Sequence, residues 1–319
     1  MEYSRALLSF YRYSEAEQAM ARAGEALGIS LKLTGKMGRI SKYATKSAPH
    51  LVLDVVSQEV VVKPPEDGPV LEEGEPEEEE KTGGSYAPKN IELGEDSILL
   101  ERTKLDEEMD GKKLEILDVG TQILVLGAVT LRTRGEAGSE ARREEIQAHL
   151  ERALERDGST GDWLVFSAAL LERSRNELGS TKRRERALLQ MQTLMEQWSD
   201  KEPSTCARAD SFFVTGYPFR WEMAKELAQD YMRSGVFLSA FELLKELKLW
   251  EDAVECLFLG GRKTQARTLA AERMKEAPSP ALLCVLGDIE QKDEHYRHAW
   301  KMSGGRFARA MRALGSSLF

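Results

Sequence analysis

Cysteine, histidine and asparagine are all scarce in this chain, and each scarcity removes a class of protein. The three cysteines, Cys206, Cys256 and Cys284, are too few and too scattered for a disulfide framework, and no pair has Cys-x-x-Cys spacing. Neither asparagine, Asn90 nor Asn176, opens an N-glycosylation sequon. The start, Met1-Glu2-Tyr3-Ser4-Arg5, lacks the basic residues and apolar run of a secretory signal. The most apolar stretch, Ile123 to Leu131, is nine residues long, against the ~20 that a membrane helix needs. Glycine (25) and proline (10) are too few for a collagen-like or wholly disordered chain. The expected compartment is reducing and soluble: cytoplasm, with the nucleus as the alternative.

Signatures of chemistry are missing too. There is no Gly-x-Ser-x-Gly, no His-Glu-x-x-His and no phosphate loop. Gly35-Lys36 and the run Gly260-Gly261-Arg262-Lys263-Thr264 look faintly phosphate-like, but neither has the required glycine and Gly-Lys-Ser/Thr spacing. Of the four histidines (His50, His149, His295, His298), only His295 and His298 share a helix turn. No third histidine or cysteine stands near them in sequence, so a metal site is not expected. No cofactor and no catalytic residue is expected either.

What the chain does have is charge. Charged residues make up 31% of its 319 residues, and the net charge is −9. Nine carboxylates and no basic residue fall between Glu66 and Glu80; without them 45 acidic residues face 45 basic ones. The acidity therefore belongs to one segment. Together with Pro64, Pro65, Pro69 and Pro76, it marks residues 63–90 as a disordered acidic linker. A chain neutral elsewhere is not built to coat nucleic acid or an anionic membrane. The one basic cluster is Arg173, Arg175, Lys182, Arg183, Arg184 and Arg186. It supports an alternative reading as an RNA-associated helical-repeat protein, although no aromatics are interleaved with it for base stacking.

The length suits about two ordinary domains, but internal repeats change that count. Between Trp221 and Leu247, two short amphipathic helices break at Ser234-Gly235. Leu227, Ala228, Tyr231, Gly235, Ala240 and Leu244 follow the small/large pattern of a tetratricopeptide repeat. Trp250, Ala253, Val254, Leu257, Gly261, Ala266, Ala270 and Pro278 repeat it 26 residues later, at the Gly235–Gly261 and Ala240–Ala266 spacing. A third unit carries Leu286-Gly287, then Tyr296, Ala299 and Trp300, with Ala266 to Ala299 spanning 33 residues. A fourth opens at Arg306 with Leu314-Gly315 and is incomplete at Phe319. A small residue at each helix crossing lets two backbones approach, a glycine ends the first helix, and one unit buries its apolar face only against the next.

The first residues have the same shape: Tyr3, Leu7, Phe10, Ser14, Ala19, Ala23, Ala26 and Leu27 fit one repeat. The expected division is therefore an N-terminal helical repeat segment at 1–62, the acidic linker at 63–90, a helical region at 91–215, and tetratricopeptide-like repeats at 216–319. The fold class expected is all-α, a helical-repeat solenoid with no sheet beyond a stray pair of strands. In the middle region, helices are predicted over Asp118–Arg132, Glu140–Arg156, Trp163–Leu178 and Thr181–Trp198, with Asp162 and either Ser180 or Thr181 as N-caps. Residues 203–218 read as an irregular, partly buried connector.

Several segments in order resemble one family. They are Leu33-Thr-Gly-Lys-Met-Gly-Arg-Ile-Ser-Lys, Ser97-Ile-Leu-Leu-Glu-Arg-Thr-Lys-Leu, Ala169-Leu-Leu-Glu-Arg-Ser-Arg, Arg186-Ala-Leu-Leu-Gln, Tyr217-Pro-Phe-Arg-Trp-Glu-Met-Ala-Lys-Glu-Leu-Ala and Leu249-Trp-Glu-Asp-Ala-Val-Glu-Cys. They look like the tetratricopeptide repeat protein 27 family, over most of the chain outside the linker. The resemblance implies an intracellular α-helical repeat protein without an enzymatic site, continuing beyond both ends of this chain.

The function expected is a non-catalytic scaffold or adaptor that holds a peptide or protein in the concave face of the repeats. Repeat register puts Glu222, Lys225, Gln229 and Arg233, then Lys248, Glu251, Glu255 and Phe258, then Cys284, Asp288 and Lys292 in that groove. The partner itself is not legible. One partner class is disfavoured: acidic tails ending in a free carboxylate. A two-carboxylate clamp needs Lys and Asn on one first helix, Asn on the next, and Lys and Arg on the third. Here Lys225 and Gln229 approximate the first pair, but Glu255 and the pair Cys284 and Asp288 fill the other slots.

Overall fold

The computed structural model describes residues 1–57, 88–109, 115–135, 139–155, 162–209 and 211–317. Most of the acidic linker expected at 63–90 lies outside these residues. The chain divides into two compact units, Met1–Tyr217 and Pro218–Phe319.

The first unit opens as the repeat pattern predicts, with a helical hairpin: α1 (Glu2–Ser9) and α2 (Tyr13–Leu27). Then the chain departs from expectation. Residues 29–57 form two long strands, β1 (Ile29–Ser41) and β2 (Ala48–Ser57), rather than further helix. A third strand, β3 (Leu99–Leu105), completes an antiparallel sheet in the order β2-β1-β3. The expectation of a stray pair is corrected, although helices still dominate. The reason is local. Ile29, Leu31 and Leu33 alternate with Ser30, Lys32 and Thr34, and a period of two puts one set on one face of a strand. β2 runs Leu51-Val52-Leu53 and Val55-Val56, rich in β-branched residues. β3 approaches β1 closely at Gly38, where a Cβ would meet the Lys104 carbonyl at 2.7 Å.

A four-residue helix, α3 (Asp106–Met109), follows β3. The core of this unit is α4 (Val119–Gly135) and α6 (Trp163–Glu177). Both are buried nearly all round: Leu124, Val125, Leu126, Ala128 and Val129 on one, Leu164 to Leu171 on the other. A helix apolar on every side belongs in the interior. α5 (Glu140–Ala153) packs against α4, α6 and β2, and so joins the sheet to the helices. Asp162 caps α6 as expected, accepting from the Leu164 and Val165 backbone N–H groups at 2.9 Å. The caps proposed at Ser180 or Thr181 are corrected. α7 (Arg184–Glu196) starts after a turn at 181–183, and Arg183 precedes it without a side-chain cap. The connector expected at 203–218 holds two short helices, α8 (Thr205–Ala209) and α9 (Phe212–Thr215). It ends at buried Tyr217, whose ring meets those of Trp163 and Trp198.

The second unit is a stack of helical hairpins. α10 (Arg220–Arg233) pairs with α11 (Phe237–Glu246), α12 (Trp250–Leu259) with α13 (Lys263–Glu276), and α14 (Pro280–Glu290) with α15 (Asp293–Met302); α16 (Ala308–Ser317) follows. The small residues of the pattern sit where packing needs them. Ala240, Ala253, Ala266, Ala270 and Ala299 are fully buried. Gly235 and Gly261 turn each hairpin at φ +79° and +76°, a region open to glycine and costly to most side chains. The third hairpin makes the same turn at Gln291, with φ 55°. One core links hairpins: Val254 and Leu257 of α12, Ala266 and Ala270 of α13, and Leu282, Val285 and Leu286 of α14.

Candidate functional site

The first helices of successive hairpins lie side by side, α12 against α14 and α14 against α16. Their shared face carries a charged network. Arg309 of α16 donates to Glu255 of α12 at 3.0 Å and to Asp288 of α14 at 3.2 Å. The Tyr296 hydroxyl donates to the other oxygen of Asp288 at 2.6 Å. One guanidinium thus ties three first helices together. Its planar fork suits two carboxylates better than a lysine ammonium would. Further along this face, Lys225 of α10 counteracts an upward shift of the Asp252 carboxyl, whose main cause is burial, helped by Glu255 and Glu251.

The structure sorts the eleven groove residues expected from register. Lys225, Gln229 and Arg233 are exposed on α10, and Arg233 pairs with Asp230 at 2.8 Å. Glu222 instead caps the same helix, accepting from the Phe219 backbone N–H at 3.0 Å. Glu251 is exposed but accepts from the Ser279 hydroxyl. Glu255 and Asp288 are half-buried in the Arg309 network. Phe258 packs against the core shared by α12, α13 and α14. Three placements are corrected. Cys284 is 0% exposed, enclosed by Leu283, Tyr296, Ala299 and Ala310, and lines no surface. Lys248 sits in the turn after α11 with φ 57°, not on a first helix. Lys292 precedes α15 and pairs with Glu290 at 3.2 Å. Arg309, Tyr296 and Asp252 were missed. Arg309 was within reach, because it lies on the fourth first helix, where the sequence reading stopped extending the face.

Half of the basic cluster that carried the RNA alternative is interior, while Arg175 and Arg184 are half-buried and Lys182 is exposed. Arg173, Arg183 and Arg186 are each less than 10% exposed. Arg186 donates to both oxygens of buried Glu177 and to Glu101 of β3. Arg173 donates to Glu101 at 3.2 Å and to the Asn90 side chain at 2.7 Å. Buried Gln190 joins the same knot: it accepts from the Ile91 backbone N–H at 2.7 Å and donates to the Lys89 carbonyl at 2.8 Å. These arginines clamp β3 and residues 89–91 onto α6 and α7. To reach all three of these arginines, nucleic-acid phosphates would have to displace those carboxylates, at the desolvation cost of unpaired buried charge.

His295 contacts Glu290 at 3.1 Å, and that contact, with Lys292, holds the Glu290 carboxyl down to about 2. Among the described residues no group of three metal-ligating side chains forms. Cys256 is buried, and burial pushes its thiol up to about 11, far from a reactive thiolate. Among the described residues no helix is long and apolar enough to cross a membrane.

The chain is similar to named repeat proteins. It is 29% identical over 314 residues to the tetratricopeptide repeat protein 27 homolog of Dictyostelium discoideum, covering 98% of this chain and 35% of that protein. It is 27% identical to a TPR repeat-containing protein of Schizosaccharomyces pombe, over 96% of this chain and 41% of that one. It is 30% identical to the Essential for maintenance of the cell wall protein 1 of Saccharomyces cerevisiae, over 61% of this chain and 23% of that one. The Dictyostelium protein carries the family name that the sequence resemblance supplied. The chain spans between about a quarter and two fifths of their length. No protein-family model and no solved structure matches it.

Proposed function

We propose that the chain is a non-catalytic protein-interaction scaffold of a reducing compartment. In this reading the first-helix face of residues 218–319 holds an extended segment of a partner protein. The observation that carries the reading is the Glu255–Arg309–Asp288 network, which fixes three first helices into one continuous polar face. A face fixed before binding spares the partner the entropy of ordering it. The repeat names of the relatives agree with the reading. The groups left to read a ligand are Lys225 and Gln229, together with Asp252 and the half-buried Phe258. They mix both signs of charge, so the ligand recognised is a mixed polar segment rather than a highly charged one.

The test is affinity capture with the full chain and with the variant Lys225→Glu/Gln229→Ala. Both positions are exposed, so the variant folds as the parent does. A partner retained by the parent and lost by the variant supports the reading. A partner set unchanged by the variant overturns the assignment of this face.

A further inference from the structure

A second site stands in the first unit, independent of the repeat face. The sheet, α5 and the end of α6 enclose a cleft of about 370 Å³, within the ~300–1,000 Å³ range of small-molecule sites. Part of its lining is apolar: half-buried Ile40 of β1, Leu51 of β2 and Leu99 of β3, with Ala148 of α5. Another part is the turn between α6 and α7, which contributes Ser180 and Arg183.

Arg183 is the unusual member. Its side chain is 9% exposed, yet among the described residues its guanidinium makes no hydrogen bond. Its one charge contact is Glu177 Oε1 at 3.7 Å, and that oxygen already accepts from Arg186. The buried knot around it sets three guanidinium groups, Arg173, Arg183 and Arg186, against two carboxylates, Glu101 and Glu177. One positive charge is in excess. Folded proteins rarely bury polar groups without hydrogen bonds, and an unmatched charge costs more than a neutral group. Elsewhere in the cleft, polar side chains satisfy one another. Asn176 donates to Gln147 at 3.4 Å, and Glu151 accepts from Gln147 at 2.9 Å and from the Thr103 hydroxyl at 3.4 Å. Arg183 is the buried group with donors to spare.

Charge selects the ligand. The knot has a single positive charge in excess, whereas a phosphate monoester brings about −1.5 to −2 at neutral pH. Glu140, Glu144 and Glu151 also line the cleft, against Arg143 and His50, so a second anionic group on the ligand meets net repulsion. A single planar carboxylate fits the fork of one guanidinium. The apolar residues of the sheet suit the remainder of such a molecule. We propose that this cleft binds a small monocarboxylic acid with an apolar body.

Isothermal titration of the full chain with 3-phenylpropionate tests it. The expected dissociation constant is roughly 0.1–1 mM, as suits a ligand of that size. The matching amide, 3-phenylpropanamide, keeps the apolar body without the charge and should not saturate. Phenylsuccinate adds a second carboxylate and should bind about tenfold more weakly, by like-charge repulsion. Glu140→Gln/Glu144→Gln, at two exposed positions, should close most of that gap. Arg183→Met should abolish 3-phenylpropionate binding, while Lys182→Met, the exposed neighbour with the same change of charge, leaves it intact. If Arg183→Met melts early, the amide and the Glu140→Gln/Glu144→Gln variant decide. The proposal is overturned if 3-phenylpropionate does not bind, if the amide binds equally well, or if a folded Arg183→Met binds as the parent does. A gap between the two acids that Glu140→Gln/Glu144→Gln leaves unchanged also overturns it, by placing the ligand elsewhere. Inorganic phosphate that binds more tightly than 3-phenylpropionate overturns it in favour of a phosphate ligand.

Discussion

Single buried ionisable groups decide how this protein responds to pH and to substitution. His149 is 1% exposed; its Nδ1 lies 2.7 Å from the Glu145 carbonyl and donates to it, while Nε2 has no partner among the described residues. Burial, reinforced by the charge of Arg132, pushes this imidazole down to about 4 from 6.5. A folded-state value below the unfolded one means that the unfolded chain binds the proton first. The stability this residue contributes is therefore complete above pH 6.5 and is lost as pH falls towards 4. Between pH 7 and pH 5 the loss expected is about 2 kcal/mol. Urea melts at both pH values should show His149→Gln losing less than the parent over that interval; equal losses would place the imidazole in water. Ion pairs divide by burial in the same way. Glu177 is 3% exposed and serves Arg186 and, at 3.7 Å, Arg183. Glu177→Gln strands buried guanidinium charge and should cost about 3–5 kcal/mol. Lys245 and Glu242, 3.8 Å apart and both mostly exposed, form the contrast. Lys245→Ala should change the unfolding free energy read from urea melts by less than about 1 kcal/mol.

At the scale of elements, the close approaches were the most legible feature. Gly287 stands where the third hairpin closes, and a Cβ there would meet the Tyr296 ring at 2.6 Å. Gly287→Ala should therefore destabilise by ~1–3 kcal/mol through overpacking, as should Ala266→Leu in the core between α12, α13 and α14. Thermal melts unmoved by either change would show that the crossings are looser than drawn. Leu286-Gly287 and the Ala240–Ala266 spacing announced these contacts because a helix crossing constrains residue size directly. The sheet was not read, although Ile29, Leu31 and Leu33 alternate as a strand should. The helical pattern of the first 27 residues was carried past its end at Gly28, whose φ of 67° closes α2. The interior role of Arg173 and Arg186 was hidden for another reason: their carboxylate, Glu101, lies 72 and 85 residues away in sequence. Charge patterning along a chain registers neighbours within a helix turn, and no local signal reports a partner brought in by a sheet.

At the scale of the whole molecule, the question is which ligands the repeat face admits. The sequence argued against acidic tails because Glu255 and Asp288 would repel them. The structure changes that argument: both carboxylates are already matched by Arg309, so repulsion is muted. What remains against a carboxylate clamp is the lack of donors. Arg309 spends its two outer nitrogens on Glu255 and Asp288. Cys284 is enclosed in the core, and neither Asn90 nor Asn176 lies in the repeats. Lys225 alone stands ready for one carboxylate, beside Asp252, which competes for it. A clamp draws its strength from several charge-assisted bonds to two acid groups at once, and a single exposed ammonium yields ~1 kcal/mol or less. An acidic peptide with a free C-terminal carboxylate should thus bind with a dissociation constant weaker than ~1 mM, less than about 4 kcal/mol of binding free energy. Fluorescence anisotropy with the labelled peptide and its amidated form measures this. Indistinguishable, unsaturated titrations are expected up to millimolar protein. Arg309→Ala is the informative variant. It removes the cation shared by Glu255 and Asp288 and leaves both carboxylates facing the groove without a counter-charge, so it should weaken residual acidic-peptide binding and admit a lysine-rich peptide that the parent face rejects. Micromolar binding of the free carboxylate form, lost on amidation, would mean that Arg309 leaves its carboxylates to take the ligand's.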